Sequence, residues 1–277
     1  MTHPYMTHPY RPLHAPQLQP QWHRHSHSVA EYAPSDRLAS HVAAYWAVDF
    51  QPVPGNHGHR AIPDGCVDII LDLRAASSRR AAYVVGLKTH AEVMRFAEAR
   101  SVFGIRLYAE SARTLLRTPL SEFAANHVFI EEVWGPEALE WSDRMIAAAS
   151  VADRIEIAER QLERMLTVAS APATPLMHQS MQYIYDCKGN LSVSDLANKV
   201  SFSERHLRRA FERELGLSPK EMMGIVRFQS VLEALSRRDY PSLADLALQY
   251  GYYDQSHFGH TFARYYGLPL KQLTQSG

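Results

Sequence analysis

The stretch from Leu191 to Gly216 reads LSVSDLANKVSFSERHLRRAFERELG. Ser192 can cap a short helix, and apolar residues recur three and four positions apart up to Val200, as they do on the buried face of a helix. A three-residue turn then leads to Ser203, a second capping residue, and the following helix ends at Gly216, which tolerates a left-handed C-cap. Two helices joined by a tight turn predict a helix-turn-helix unit at about 191–216.

The same pattern returns from Ser242 to Gly267, which read SLADLALQYGYYDQSHFGHTFARYYG. Gly251 supplies the turn and Asp254 the second cap. Between the two units, Pro219 opens a long helix that can hold them at a fixed spacing. The sequence therefore predicts a second unit at about 242–267 and an all-α domain over residues 177–277.

This region resembles the C-terminal domain of the AraC/XylS family of bacterial transcription regulators. The landmarks are Ala210-Phe211, Gly216-Leu-Ser-Pro219, Gly251-Tyr252, Asp254-Gln-Ser-His-Phe258 and Phe262. The resemblance covers roughly residues 179–273 and implies that the second helix of each unit enters the major groove of DNA. The chain departs from the family pattern at Gly259-His260, where a polar and a basic residue are usual, and at Gly267-Leu-Pro-Leu270, which replaces a second Gly-x-Ser-Pro.

The residues expected to contact DNA lie at the start of the second helix of each unit. Arginine pairs bidentately with guanine and glutamine with adenine, so Arg205, Arg208 and Gln255 are the candidates for reading bases. The alternative is that the first set is only a solvated face, balanced by nearby glutamates. The arginines also predict that the first unit binds DNA more strongly than the second. The full candidate set is Ser203, Glu204, Arg205, Arg208, Arg209, Gln255, Ser256, Gly259 and His260.

Composition bounds the class of protein without pointing to DNA. The 277 residues are 46% apolar and 21% charged, with 29 basic and 29 acidic side chains, as in ordinary globular proteins. After residue 174 there are 12 basic and 10 acidic residues, so only their positions indicate nucleic acid. No apolar run is long enough to span a membrane, and the two distant cysteines favour a reducing compartment. We therefore expect a cytoplasmic protein without a cofactor.

The N-terminal half predicts a tail followed by a second domain. Residues 1–34 are rich in Pro, His and Gln and predict a disordered tail. Ser35 is a possible cap for a helix from Leu38 to Trp46, although residues 45–50 also fit a strand. Strands are predicted at 66–73, 81–87, 92–96 and 102–107, and helices at 111–116, 119–125, 136–150 and 151–166.

Together these elements predict an α+β protein. A mixed β-barrel-like/α domain at 35–166 precedes a linker at 167–176, and two helix-turn-helix units joined by a long helix follow. The apolar stripe of the helix at 151–166 fits the domain core or a dimer contact.

The segment from about 38 to 166 also resembles a poorly characterised sensor-like domain that occurs ahead of AraC-type DNA-binding domains. Its landmarks include Ala44-Tyr-Trp46, Pro63-Asp-Gly-Cys-Val-Asp68 and Gly104-Ile-Arg106. A barrel with aromatic and charged side chains can hold a small molecule in its mouth, although each such residue also has a structural role open to it. The candidate lining residues are Trp46, Asp64, Cys66, Asp68 and Arg106.

Other chemistry at this end of the chain rests on few residues. His57, His59 and Cys66 have metal-ligand side chains at loop spacing, but no second paired set accompanies them, so no metal is expected. Cys66 is also a candidate for a reactive thiol, with a small buried residue as the alternative.

The leading hypothesis is a transcription regulator and not an enzyme. Its expected partners are promoter or operator DNA, RNA polymerase, a small-molecule effector and a second copy of the chain bound through the N-terminal domain. The alternatives are a DNA-repair enzyme that transfers an alkyl group to cysteine, and an architectural DNA binder without effector control.

Overall fold

The computed structural model describes residues 8–13, 27–51, 59–94, 98–123, 127–168, 174–238 and 240–274. The strands of its N-terminal domain are β1 His27–Tyr32, β2 Val42–Phe50, β3 His59–Ala61, β4 Cys66–Asp72, β5 Ala82–Val85, β6 Glu92–Met94, β7 Arg100–Tyr108 and β8 Val128–Phe129. Six of them form an antiparallel sheet in the order β1-β2-β7-β4-β5-β8, and β3 pairs with β6 in a separate ribbon.

The helices of the N-terminal domain are α1 Ala109–Leu116, α2 Ile130–Trp134, α3 Glu137–Ala147 and α4 Val151–Val168, with a 3-10 turn at Leu120–Phe123. Those of the C-terminal domain are α5 Pro175–Asp186, α6 Val193–Lys199, α7 Glu204–Leu215, α8 Pro219–Arg237, α9 Leu243–Gln249, α10 Gln255–Tyr266 and α11 Leu270–Thr274. The structure thus confirms the α+β fold with two helix-turn-helix units joined by the long helix α8. Among the described residues, no helix combines the length and apolar character that crossing a bilayer demands.

The two faces of the six-stranded sheet have different neighbours. Val67, Ile69 and Leu71 alternate along β4 and lie in the core shared with the helices. The residues between them, Asp68 and Ile70, are only half-buried and face a cavity. This alternation follows from the two-residue period of a strand. The sheet therefore separates a packed core from a ligand-sized space.

Gly104 in β7 makes room for a large side chain on the cavity face. It lies opposite Trp46 of β2. A Cβ atom added at Gly104 would lie 1.9 Å from Cε2 of the Trp46 ring, a distance that no non-bonded carbon atoms can adopt. The indole ring therefore lies flat against the sheet only because this position carries no side chain.

The start of the domain differs from the sequence prediction. Leu38 and Tyr45 are fully buried, but they lie in a turn and in β2 and not on one helix, so the helical interpretation is wrong. The helix-like spacing of the apolar residues did not distinguish the two cases, because a turn followed by a strand buries the same residues. The predicted disordered tail is wrong in part, because residues 27–32 form the edge strand β1 and residues 8–13 lie against both domains. Hydrogen bonds to distant residues order these segments, which lack an apolar period.

The apolar stripe of α4 belongs to the domain's own core. Ala158, Leu162 and Met165 are buried, and Ile155 and Leu166 pack against the same cluster. The core alternative is therefore confirmed over a dimer contact through this stripe. The end of α4 at Val168 and the start of α5 at Pro175 flank the predicted linker, whose residues 169–173 lie outside the described ranges.

Replacing Gly104 with alanine should destabilise the protein because the new methyl group displaces the Trp46 ring. We expect a loss of about 1–3 kcal/mol in the free energy of unfolding, measured by urea denaturation. Gly259→Ala is the matched control, since nothing lies within 4 Å of an added Cβ there. In a Trp46→Ala background the Gly104→Ala change should cost much less, and an equal cost in both backgrounds would contradict the steric explanation.

Candidate DNA interface and ligand cavity

The first helix-turn-helix unit is built from α6 and α7. The Ser192 hydroxyl accepts a hydrogen bond from the Asp195 amide, and the Ser203 hydroxyl accepts one from the His206 amide, so both helices are capped as expected. In the turn, Ser201 adopts a left-handed conformation with φ of 59°, and the Phe202 amide donates to the Ala197 carbonyl over 3.0 Å. These bonds hold the second helix at a defined angle to the first.

The second unit repeats this geometry in α9 and α10. Gly251 takes the place of Ser201 with φ of 71°, and the Tyr252 amide donates to the Ala247 carbonyl over 2.9 Å. Asp254 caps α10 by accepting from the His257 amide over 2.7 Å. The two turns therefore agree in backbone conformation as well as in sequence pattern.

The predicted DNA-contacting residues of the first unit lie together on the outer face of α7. Leu207 and Phe211 are fully buried, whereas Arg205, Arg208 and Arg209 are exposed. Arg208 forms an ion pair of 3.1 Å with Glu204, one turn earlier on the helix. An exposed pair of this kind contributes little stability, so the guanidinium can exchange it for a base or a phosphate.

The second unit presents a less charged face. Gln255, Ser256 and His260 are exposed on α10, and Gly259 leaves an open space beside them. Tyr253, directly before the cap, has 88% of its surface exposed, which the sequence analysis did not single out. The sequence could have predicted this exposure, because Tyr253 directly precedes the cap residue Asp254, and a large aromatic side chain at that point cannot reach the domain core.

Arg227 of α8 connects the two units, and sequence patterns did not identify it. Its guanidinium donates to the Gly189 carbonyl over 2.8 Å and to the Gly251 carbonyl over 3.5 Å. It also lies 5.7 Å from the centre of the Tyr252 ring. The side chain thus links the loop before the first unit to the turn of the second. In the sequence, Arg227 looks like any other polar residue on an amphipathic helix, so only its contacts in the structure reveal this role.

A cavity of about 260 Å³ lies on the outer face of the sheet in the N-terminal domain. All five predicted ligand residues line it: Trp46, Asp64, Cys66, Asp68 and Arg106. They come from β2, from the turn before β4, from β4 and from β7, and antiparallel pairing brings Asp68 opposite Arg106. The cavity also receives residues that the sequence analysis missed, including Glu31 of the segment predicted to be disordered.

Arg106 forms the centre of the polar end of the cavity. Its Nε lies 3.1 Å from Asp64 Oδ2 and 3.0 Å from Asp68 Oδ1, and its Nη2 donates to Asp68 Oδ2 over 3.1 Å. The Trp46 indole N–H donates to Asp68 Oδ1 over 3.0 Å. Burial alone lowers the pKa of Arg106, but the two carboxylates outweigh it and raise that pKa, so the guanidinium stays charged.

The carboxyl groups at this end respond to burial in the opposite sense. Burial raises the pKa of Asp64 to about 6, with Arg106 opposing the shift and Asp68 adding to it. Partial burial also raises the pKa of Glu31, again against the effect of Arg106. For both carboxyl groups, burial therefore outweighs the attraction of the guanidinium.

The Cys66 thiol has none of the features of an activated nucleophile. It is buried, and burial followed by the nearby Asp64 carboxylate raises the pKa of the thiol. The sequence alternative of a small buried residue is therefore supported over a reactive thiol. Of the metal candidates, His57 lies outside the described residues, and the side chain of His59 is likewise not described. Within the described ranges, no group of three His, Cys, Asp or Glu side chains is placed to hold a metal ion.

The turn at Pro63–Gly65 connects the cavity to the C-terminal domain. The Asp64 carboxylate points toward Arg106, whereas the Pro63 carbonyl accepts a hydrogen bond of 2.8 Å from the Gln229 amide group of α8. The Asp64 carbonyl accepts a bond of 2.6 Å from the Tyr10 hydroxyl, and the Tyr10 ring stacks on Tyr185 of α5 at 4.6 Å. One turn thus contacts the cavity, the N-terminal segment and the helix between the two units.

Further contacts join the N-terminal domain to both helix-turn-helix units. At the first unit, Arg113 pairs with the buried Glu214 at 3.1 Å, and Ser121 donates to the Arg213 carbonyl over 3.1 Å. At the second, the Ala91 amide donates to the Arg264 carbonyl over 3.2 Å. The predicted domains therefore pack against each other along α7, α8 and α10.

Two family models match separate parts of the chain. Residues 30–129 match the domain of unknown function DUF6597, and residues 196–276 match a helix-turn-helix domain. The chain is 33% identical over 79 residues to the uncharacterised HTH-type transcriptional regulator YbfP of Bacillus subtilis, covering 28% of this chain and 26% of that protein. It is 29% identical over 83 residues to the lactose operon transcription activator of Staphylococcus xylosus, covering 30% of this chain and 29% of the relative. These alignments span under a third of the length of either relative.

Solved structures of ToxT from Vibrio cholerae align over most of the chain. The apo form has a TM-score of 0.43 at 11% identity and covers 91% of this chain and 98% of that one. A second ToxT structure, described as bound to an unsaturated fatty acid, has a TM-score of 0.39 at 11% identity and covers 90% and 95%. The duplicated units, their capping residues and the match of residues 196–276 all identify a helix-turn-helix region in the C-terminal half. The chain thus contains a region that matches DUF6597, followed by a region that matches a helix-turn-helix domain.

Proposed function

We propose that this protein is a sequence-specific DNA-binding transcription regulator controlled by a small molecule in the cavity of its N-terminal domain. The observation that carries the proposal is the pair of capped helix-turn-helix units whose second helices expose their first turns. Such helices dock in the major groove, where side chains at the helix start reach the base edges. The match of residues 196–276 to a helix-turn-helix domain supports the same interpretation of the C-terminal half.

The fixed relation between the units supports binding to one continuous site. Arg227 links Gly189 to Gly251, and α8 runs without interruption from Pro219 to Arg237. A rigid pair of units reads two neighbouring segments of DNA and loses less entropy on binding than two independent modules do.

Control by a ligand is supported by the position of the Pro63–Gly65 turn. A ligand that engages Asp64 acts on a residue whose backbone is bonded to Tyr10 and whose neighbour Pro63 is bonded to Gln229 of α8. Ligand binding then favours one arrangement of the two domains over another, which shifts the population that can bind DNA. An architectural binder without effector control would have no use for a polar cavity joined to its DNA-binding domain.

The alternative of an alkyl-transfer enzyme is less well supported. Such chemistry requires an accessible cysteine with a lowered pKa, whereas Cys66 is buried and the pKa of its thiol is raised. RNA polymerase as a partner, a homodimer through the N-terminal domain and action in the cytoplasm stay predictions from the sequence.

Arg205→Ala and Arg208→Ala should each weaken binding to an operator selected from random duplex DNA. A base-reading arginine contributes about 1–3 kcal/mol, so the dissociation constant should rise roughly 5- to 150-fold in a gel-shift titration at fixed salt. Arg160→Ala is the matched control, because Arg160 forms the same exposed pair one turn from Glu156 on α4 in the N-terminal domain. If both α7 variants bind like Arg160→Ala, the assignment of the DNA interface is wrong.

The two units should contribute unequally to the affinity. We expect Gln255→Ala and His260→Ala to raise the dissociation constant less than the two arginine variants, because neutral side chains form weaker contacts with bases and phosphates. The same gel shift, repeated at two salt concentrations, separates phosphate contacts from base contacts through the salt dependence. Larger losses from the α10 variants than from the α7 variants would reverse the proposed order.

Removing the Tyr10 hydroxyl should loosen the contact between the domains. Tyr10→Phe leaves the ring stacked on Tyr185 but deletes a buried bond to Asp64, which is worth about 1 kcal/mol and hence about fivefold in an opening equilibrium. Amide hydrogen exchange in α5 should increase accordingly. Tyr183→Phe is the control, because the Tyr183 ring packs against Lys199 within the C-terminal domain. Equal exchange in the two variants would show that the Tyr10 hydroxyl does not hold the domains together.

A further inference from the structure

The two helix-turn-helix units differ in how the chain reaches the second helix. In the first unit, the capping residue Ser203 directly follows Phe202, whose amide closes the turn. In the second unit, Tyr253 lies between the equivalent Tyr252 and the cap Asp254 as one additional residue. Asp254 is also more extended, with φ of −155° and ψ of 175° against −72° and 149° at Ser203. The second unit therefore carries an extra side chain directly before α10.

This extra side chain cannot turn into the domain core, because Tyr252 already fills that place. Tyr252 is only 4% exposed, and its ring centre lies 5.0 Å from that of Phe258 and 5.7 Å from the guanidinium carbon of Arg227. Tyr253 is instead exposed over 88% of its surface, close in the chain to the exposed Gln255 at the start of α10. A phenol group thus faces solvent beside the residues expected to read bases.

The second unit offers few cations to the DNA backbone. Residues 191–216 of the first unit contain five Lys or Arg side chains: Lys199, Arg205, Arg208, Arg209 and Arg213. Residues 242–267 contain only Arg264, near the far end of α10, where its guanidinium carbon lies 5.4 Å from the centre of the Tyr265 ring. About half or more of all protein–DNA hydrogen bonds go to phosphates and sugars, and tyrosine is one of the neutral donors that make them. At the start of α10, phosphates would therefore be bound by neutral groups.

We propose that Tyr253 binds the DNA backbone beside the second unit, with its hydroxyl group donating a hydrogen bond to a phosphate oxygen. The inference rests on the proposed DNA-binding function and adds a contact that the sequence pattern did not indicate. When α10 enters the major groove by its first turn, the residue directly before the helix lies at the edge of the groove, which phosphates line. A contact of this kind positions the helix on the DNA without reading a base.

Removing the hydroxyl group tests the contact directly. Tyr253→Phe keeps the ring, so the dissociation constant of the full-length protein for its selected operator should rise about three- to tenfold in a gel shift, as expected for one lost hydrogen bond. Tyr32→Phe is the matched control, because Tyr32 is an exposed tyrosine at the end of β1 in the N-terminal domain. Both substitutions are on the surface, so thermal unfolding should be unchanged. Equal operator affinity in the two variants would overturn the proposal.

A phosphate contact should affect every base sequence alike. The loss of affinity in Tyr253→Phe should therefore be the same, within about twofold, for the selected operator and for operators that carry single base-pair changes in the segment bound by α10. A loss that disappears when one particular base pair is changed would show that Tyr253 reads that base. Such a result would overturn the assignment to phosphate.

A positive charge placed at the same position should change the salt dependence of binding. Tyr253→Lys can pair with the phosphate that the hydroxyl group contacts, so the plot of log affinity against log salt concentration should steepen by about 0.9. Tyr253→Phe should leave this slope unchanged, because the phenol group that it alters carries no charge. Tyr32→Lys is the control for the added net charge. A slope in Tyr253→Lys no steeper than in Tyr32→Lys would place Tyr253 away from the phosphates and overturn the proposal.

The outcomes separate this contact from the proposed function. If Arg205→Ala and Arg208→Ala weaken operator binding but Tyr253→Phe does not, the contact at Tyr253 fails and the DNA-binding function stands. If all three variants weaken it, both proposals are supported. If the protein selects no duplex from random DNA, both proposals fail.

Discussion

The buried guanidinium of Arg106 is the constraint around which the N-terminal domain is arranged. A buried charge costs several kcal/mol unless carboxylates and hydrogen bonds compensate it. Asp68 meets this need from the neighbouring strand, and Asp64 meets it from the turn before β4. The ion pairs therefore hold strand register and turn position together. They also hold Asp64 so that its carboxylate faces Arg106 in the cavity while its backbone carbonyl faces Tyr10 of the N-terminal segment.

The two domains differ in architecture but share one apolar core. The largest buried cluster runs from Tyr45 and Ile105 in the sheet to Met181 and Leu207 in the C-terminal helices. Polar contacts at Glu214 and Gln229 accompany it, and both of these side chains are buried. Buried polar groups are costly to leave unpaired, so these contacts favour a small number of defined domain arrangements over a continuous range. The proposed regulation requires discrete states of this kind.

The two helix-turn-helix units have nearly the same backbone and different surfaces. Ser201 and Gly251 occupy the same left-handed position, and the Phe202 and Tyr252 amides donate to equivalent carbonyls. The exposed side chains differ, with arginines on α7 and mostly neutral residues on α10. Backbone geometry thus places both helices alike, whereas affinity and base preference depend on side chains that packing leaves unconstrained.

The sequence alone predicted the α+β class, both helix-turn-helix units with their caps, three strands of the six-stranded sheet with one of the separate ribbon, and five of the residues that line the cavity. These features depend on local signals: capping chemistry, the helical and strand periods, and turn residues such as Pro63 and Gly65. Only the tertiary structure decided the order of residues 8–13 and of β1, the strand nature of residues 42–50, the role of Arg227, and the contact of the Pro63–Gly65 turn with α8. Each of these depends on partners distant in the chain. Tyr10, for example, is ordered by Asp64, Tyr108 and Tyr185, and no local pattern encodes such a contact.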